Sequence, residues 1–189
     1  MSRRAAALVV GATVALAIVA LIWWSTAGRR TTDTPAGDEP APASDVETTG
    51  AELYFPNTAG WLGSESRELP VVQYAEDRAA QVASALLAGP TEPGHLAPFG
   101  EGVELASLHL SDDGVVYIDL AAAQLAAPPV SGSRGELLVV YSFVNSILAN
   151  VPEAWGVVLM WNGNQRPTFA GHVDTTRPLP VERQWLASR

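Results

Sequence analysis

Hydrophobic and polar positions divide the chain into three regimes. From Ala5 to Trp24 the apolar run is almost unbroken, interrupted only by Gly11 and Thr13. From Thr31 to Gly50 apolar residues show no period, and Thr, Pro, Asp and Ala prevail, with prolines at Pro35, Pro40 and Pro42. From Ala51 onward short bursts of alternating or helically spaced apolar residues are separated by turn residues.

The third regime predicts an order of elements. Leu53-Tyr54-Phe55 reads as a short strand closed by Pro56-Asn57, and Glu65 to Val72 as a second. Asp77 to Ala88 reads as a helix, with Ala79, Val82, Ala83 and Leu86 at helical spacing and Gly89-Pro90 ending it. The stretch from Thr91 to Gly102 is irregular. Glu104 to Leu110 and Val115 to Leu120 alternate, and Ser111-Asp112-Asp113-Gly114 joins them as a hairpin. Ser133 and Glu136 have the spacing of a capping box, in which two side chains satisfy the unpaired amides of a helix start. Leu137, Tyr141, Val144 and Leu148 continue that helix to Asn150. Val157 to Trp161 is a strand, Asn162-Gly163 a type I′ turn signal, and Gln165 to Phe169 the returning strand. The expected fold is α+β: a mixed or antiparallel sheet of about six short strands with two helices packed on one face. The expected domain covers residues 51–180, with a tail at 181–189.

The first regime has the length of a membrane span. Twenty residues at 1.5 Å rise reach roughly 30 Å, the thickness of a bilayer's hydrocarbon core. Trp23 and Trp24 stand at its end, and Arg3, Arg4, Arg29 and Arg30 flank it. Residues 1–30 are therefore expected to be a transmembrane signal anchor. A signal peptide cut near Ser25-Thr26-Ala27-Gly28 is the alternative, and the length and the Trp pair favour the anchor. The charged amino terminus tips the orientation toward an inside N-terminus, so the rest of the chain is expected outside the cytoplasm. Residues 31–50 are expected to be a disordered tether, with an average reach of roughly 25 Å as a flexible coil.

Charge sharpens the picture. The chain of 189 residues carries a formal net charge of −9. From residue 31 onward 20 acidic residues face 7 arginines, and there is no lysine anywhere. So acidic a surface repels phosphate backbones, which excludes nucleic acid as a partner. The absence of cysteine removes disulfides, thiolate metal sites, a thiol nucleophile and a lipid-modified N-terminal cysteine.

Candidate chemistry is sparse. His95 lies in the irregular stretch, and His109 falls on the solvent side of a strand. His172 and Asp174 share a face of an extended segment and could form an acid–base pair, although two ligands are too few for a metal. Asp174 is more simply read as ordering its loop with Thr175 and Thr176. Ser131-Gly132-Ser133-Arg134-Gly135 lacks the register of a nucleophile elbow. Asp112-Asp113 is a turn, too poor in oxygens for calcium, and Asp119 at a strand end caps the next turn. No linked nucleophile, base and oxyanion donor emerges, so no catalytic residue, metal or cofactor is expected. Tryptophan is the positive signal. Trp155 and Trp161 are read as core. Trp61, in a polar loop, and Trp185, in the tail, are the candidate interaction surface, because large rings at the surface anchor interfaces.

Several of these pieces resemble one family. Leu53-Tyr54-Phe55-Pro56 resembles the opening strand of the GerMN domain of bacterial sporulation and germination proteins. Ala85-Leu86-Leu87-Ala88-Gly89-Pro90-Thr91 resembles the end of its first helix. Pro98 with Gly100 to Gly102 resembles its lead into the central hairpin. Gly114-Val115-Val116-Tyr117-Ile118-Asp119-Leu120 resembles its Gly-x-x-x-x-Asp-Leu strand, and Gly171 to Leu179 its closing Arg-Pro-Leu segment. The resemblance covers about 51–180. It implies a non-catalytic envelope domain serving protein–protein assembly or peptidoglycan association, with envelope proteins or peptidoglycan as partners. Such a partner is expected to meet Trp61 and Trp185, or the sheet edge near Glu65 to Val72. The alternative is an exported hydrolase of wall glycans using Asp119, His172 and Asp174.

Overall fold

The computed structural model describes residues 47–187. The apolar run at 5–24 and most of the tether expected at 31–50 lie outside the described residues. Among the described residues no helix is long and apolar enough to cross a membrane.

The elements are β1 (Thr48–Pro56), β2 (Leu62–Pro70), α1 (Ala75–Leu87), β3 (Glu104–Leu110), β4 (Val115–Ala121), α2 (Gly132–Asn150) and β5 (Gly156–Trp161), followed by a single 3-10 turn at Arg183–Trp185. The fold is α+β, but the strands form two sheets rather than one. β1 and β2 make an antiparallel ribbon, and β3-β4-β5 make a mixed sheet in which β4 and β5 run parallel. The helices are likewise shared out rather than laid on one face: α1 packs chiefly on β3, and α2 chiefly on β1.

The strand expected at Gln165–Phe169 does not form. The preceding turn does: Asn162 and Gly163 both take positive φ, and Trp161 and Asn164 exchange backbone hydrogen bonds of 2.9 and 3.1 Å. Beyond it the chain leaves the sheet because Phe169 is drawn into the core. Its ring lies 6.2 Å from those of Phe99 and Trp161, and Phe99 also meets Phe143 at 6.0 Å. Burial of four large rings outweighs the few ladder bonds of a short edge strand. Trp161 belongs to this core, whereas Trp155 is 54% exposed, against expectation, its indole N–H donating to the carbonyl of Asp113 at 2.8 Å.

Alternation does position the remaining core. Ala51, Leu53 and Phe55 of β1, Val116, Ile118 and Leu120 of β4, and Val157, Leu159 and Trp161 of β5 all point inward. Ala79, Val82, Ala83 and Leu86 form the buried stripe of α1.

α2 has a second task. The backbone groups of β1 that face away from β2 are met by its side chains. Ser142 Oγ donates to Tyr54 O at 2.6 Å, and Ser146 Oγ accepts from Tyr54 N at 2.8 Å. Asn150 accepts from Glu52 N at 3.1 Å and donates to Glu52 O at 2.7 Å. These three residues recur every four positions and so line one face of the helix. A buried strand edge must find partners, and here a helix provides them.

Candidate interaction surface

The tight turn between β1 and β2 displays Trp61. Asn57 Oδ1 accepts from the amides of Ala59 and Trp61, each at 3.0 Å, and Asn57 N donates to Trp61 O at 2.8 Å. Gly60 sits at φ 80°, a conformation that excludes most side chains. The turn leaves Trp61 39% exposed. Arg134, in the first turn of α2, reaches across to it. Its Nε donates to Gly60 O at 3.0 Å, Nη2 donates to the same oxygen, and the guanidinium carbon lies 5.0 Å from the Trp61 ring centre.

Trp185 reaches the same guanidinium from the other end of the chain, 6.0 Å from its ring centre. A strap formed by the residues after β5 delivers it. Leu179 and Val157 exchange backbone bonds of 3.0 and 2.8 Å. Asn145, buried in α2, then bonds both backbone groups of Glu182. The Glu182 carboxylate accepts from Gln184 N at 3.2 Å and starts the 3-10 turn that carries Trp185. Ala187 N finally donates to Leu62 O at 2.8 Å. Residues 181–187 are thus bound along α2, although their sequence shows no period. The two tryptophans singled out from sequence are brought together. Arg134, which holds them there, was not singled out, because a lone arginine in a helical first turn carries no signal of its own.

Two buried carboxylates fix the loops around this frame. Glu65, on the inward face of β2, is 2% exposed. It forms an ion pair with Arg67 and accepts from Thr91 Oγ1 at 2.8 Å and from the amides of Thr91 and Glu92 at 3.0 and 3.1 Å. Burial pushes its carboxyl up, but Arg67, the Glu92 amide and Thr91 together overcome this and bring it down to about 2. His95 lies behind it, Nδ1 at 3.5 Å from Oε2, in a space that exists because Gly63 has no side chain.

Glu136 is the second such carboxylate, and it corrects the capping-box expectation. α2 starts at Gly132 with Ser131 as its N-cap and no side-chain cap, so Ser133 is already helical. Glu136 is wholly buried and turns instead to the loop after Phe169. It accepts from the amides of Ala170, His172 and Val173 at 2.7, 2.8 and 2.9 Å, and from His172 Nδ1 at 2.9 Å. Burial pushes this carboxyl up, and the amides and His172 hold it below the ordinary range. Nothing in the local sequence distinguishes a glutamate that caps from one that reaches a loop more than thirty residues on.

The residues considered for hydrolysis are occupied separately. Asp119 accepts from Gly163 N at 2.9 Å and holds the turn after β5. Asp174 accepts from the amide and hydroxyl of Thr176, and His172 turns to Glu136 rather than to Asp174. A groove of about 560 Å³ runs between α2 and the strap, and none of these three lines it. Among the described residues no three His, Asp or Glu side chains converge on a point that could hold a metal.

The comparison with known families follows from this frame. Residues 52–167 match the Germane family, described as "Sporulation and spore germination". The chain belongs to the Germane family. The Germane match runs from β1 through the turn after β5, and the strap lies beyond it. Two solved structures share the fold. One is the tandem GerMN domains of the sporulation protein GerM from Bacillus subtilis, at 17% identity and TM-score 0.54, covering 73% of this chain and 47% of that one. The other is the first GerMN domain of the same protein, at 17% identity and TM-score 0.53, covering 72% of this chain and 99% of that one. This chain therefore spans about half of the tandem protein and nearly all of one domain. No curated protein matches it significantly in sequence.

Proposed function

We propose that this Germane protein is a non-catalytic module of the bacterial cell envelope, anchored by residues 1–30 in the cytoplasmic membrane, that presents its domain outside the cytoplasm to assemble with another envelope protein. The observation that carries the reading is the junction of Trp61, Arg134 and Trp185. Two large rings from opposite ends of the domain are held at the surface by one guanidinium. Aromatic and arginine side chains held in place are the residue types that dominate binding energy at protein interfaces. The acidic surface keeps the module off anionic headgroups. Separate structural duties for Asp119, His172 and Asp174 weigh against a hydrolase.

The test is capture of membrane proteins from detergent extracts by the tagged full-length chain, beside sedimentation with purified peptidoglycan. Wild type is expected to retain specific membrane proteins, and Trp61→Ala/Trp185→Ala to lose them while staying folded. Undiminished capture by the double variant removes this surface from the interface. Co-sedimentation with the wall in the absence of protein partners transfers the reading to peptidoglycan binding.

A further inference from the structure

In an antiparallel ribbon, residues alternate between bonding their neighbour strand and facing outward. On β1 the outward residues are Glu52 and Tyr54, since both bond α2. Their opposites on β2 are Ser66 and Ser64, followed by Glu68 opposite Gly50. The backbone groups of Ser64, Ser66 and Glu68 therefore face away from the ribbon. All three residues are exposed, and among the described residues no hydrogen bond meets those groups.

The other edges are covered at least in part. α2 closes β1, the strap pairs with β5 at Val157, and the Glu76 carboxylate accepts from Leu110 N at 2.8 Å on β3. The strap also starts to pair with β2: Leu186 bridges Leu62 in parallel, and Ala187 N donates to Leu62 O. The outer side of β2 thus already meets extended backbone at a single bridge, and the described pairing stops one outward residue short of Ser64.

The face beside this edge selects the partner. Gly50, Ser64 and Ser66 leave a shallow hollow, with Glu68 on the same face, its Oε1 3.9 Å from where a Gly50 side chain would begin. Small residues leave room for long side chains, and carboxylates favour cationic ones. Over the described residues 16 acidic side chains face 6 arginines, so a second copy of this chain would bring repulsion.

We propose that the outer edge of β2 from Ser64 to Glu68 receives an extended, basic segment of the partner protein as an added strand. This rests on the assembly reading above and names the partner's chemistry. Three outward residues accept a segment of about five residues, roughly 17 Å long. Its basic side chains, every second residue, share the face that carries Glu68.

The test uses purified full-length protein in detergent and a labelled peptide of about eight residues alternating Lys and Val, read by fluorescence anisotropy. Three peptides are compared: the parent, the same peptide N-methylated at every second residue, and its Glu–Val counterpart. The parent is expected to bind, and each of the others to bind at least about tenfold more weakly. Ser66→Pro deletes an outward N–H without touching a β1–β2 bond and is expected to weaken the parent about tenfold. Glu68→Arg, which leaves the backbone alone, is expected to narrow or reverse the preference for Lys over Glu. Equal binding of parent and N-methylated peptides reduces the contact to charge and overturns strand addition. Equal binding of the Lys and Glu peptides overturns the basic partner, as does wild-type affinity in Glu68→Arg. Absence of peptide binding, with membrane-protein capture intact, removes the edge and leaves the assembly reading standing. Loss of capture with peptide binding intact does the reverse.

Discussion

The side-chain amide of Asn145 grips the backbone of Glu182 at both ends: Nδ2 donates to its carbonyl and Oδ1 accepts from its amide, each at 2.9 Å. The pair joins the middle of α2 to the strap and decides where Trp185 arrives. Asn145 is 1% exposed, so neither bond is shared with bulk water. Asn145→Ala is expected to cost about 2 kcal/mol in chemical denaturation, and to speed amide exchange selectively over residues 183–187. Asn145→Asp is expected to be worse, because a carboxylate then faces the Glu182 carbonyl. Slow exchange in both variants would show that the strap is held elsewhere.

Glu65 makes the fold sensitive to acid. A carboxyl held lower in the folded chain than in the unfolded one stabilises the fold above the unfolded value. That stabilisation is lost as pH falls from about 4.5 through about 2. The difference, at about 1.4 kcal/mol per pH unit, is roughly 3 kcal/mol. Wild type is expected to lose more stability between pH 6 and pH 3 than Glu65→Gln, whose starting stability is already lower. Parallel pH curves for the two proteins would contradict this.

Gly63 is required by its neighbour. A Cβ there would lie 2.2 Å from His95 Nε2, inside van der Waals contact. Gly63→Ala is expected to lower stability by about 2 to 3 kcal/mol, since the ring would have to leave its place beside Phe55 and Glu65. Adding His95→Ala is expected to recover part of the loss. A strictly additive double variant would disprove the clash.

The loop after Phe169 depends on Glu136. Glu136→Gln keeps the shape but turns an NH₂ group toward amides that themselves donate. A cost of about 2 to 4 kcal/mol is expected, with faster exchange at Ala170, His172 and Val173. Thermal unfolding near neutral pH together with amide exchange checks both. Because this carboxyl is also held low, its contribution is present above the unfolded value and fades on acidification.

Much of the frame was legible in the residues. Both helices form where they were read, although the buried face of α2 runs through Val140, Phe143, Val144 and Ile147 while Leu137, Tyr141 and Leu148 are only half-buried. Gly89 and the Asn162-Gly163 turn stand where punctuation was expected, β3 and β4 follow their alternation, and β5 is an apolar run buried on both faces. The family resemblance was legible in the Leu-Leu-Ala-Gly-Pro-Thr piece, which lies within the matched residues, whereas the Arg-Pro-Leu piece lies beyond them. What failed to show is long-range. Gln165 to Phe169 alternates like a strand, but Phe169 has a better place among Phe99, Trp161 and Phe143. Ser142, Ser146 and Asn150 look like polar interruptions of an apolar helix until β1 is laid beside them. Glu136 reads as a cap because its true partners stand far along the chain. For the surface, Trp61 and Trp185 were visible by their places in a polar loop and in the tail, while their meeting over Arg134 needed the strap.

The serine and asparagine stripe of α2 has a consequence for stoichiometry. Because that stripe consumes the open side of β1, the ribbon can grow in one direction only. A domain that accepts a strand on β2 has no second ribbon edge of its own, so it cannot be sandwiched between two added strands. In the language of assembly, the ribbon is monovalent.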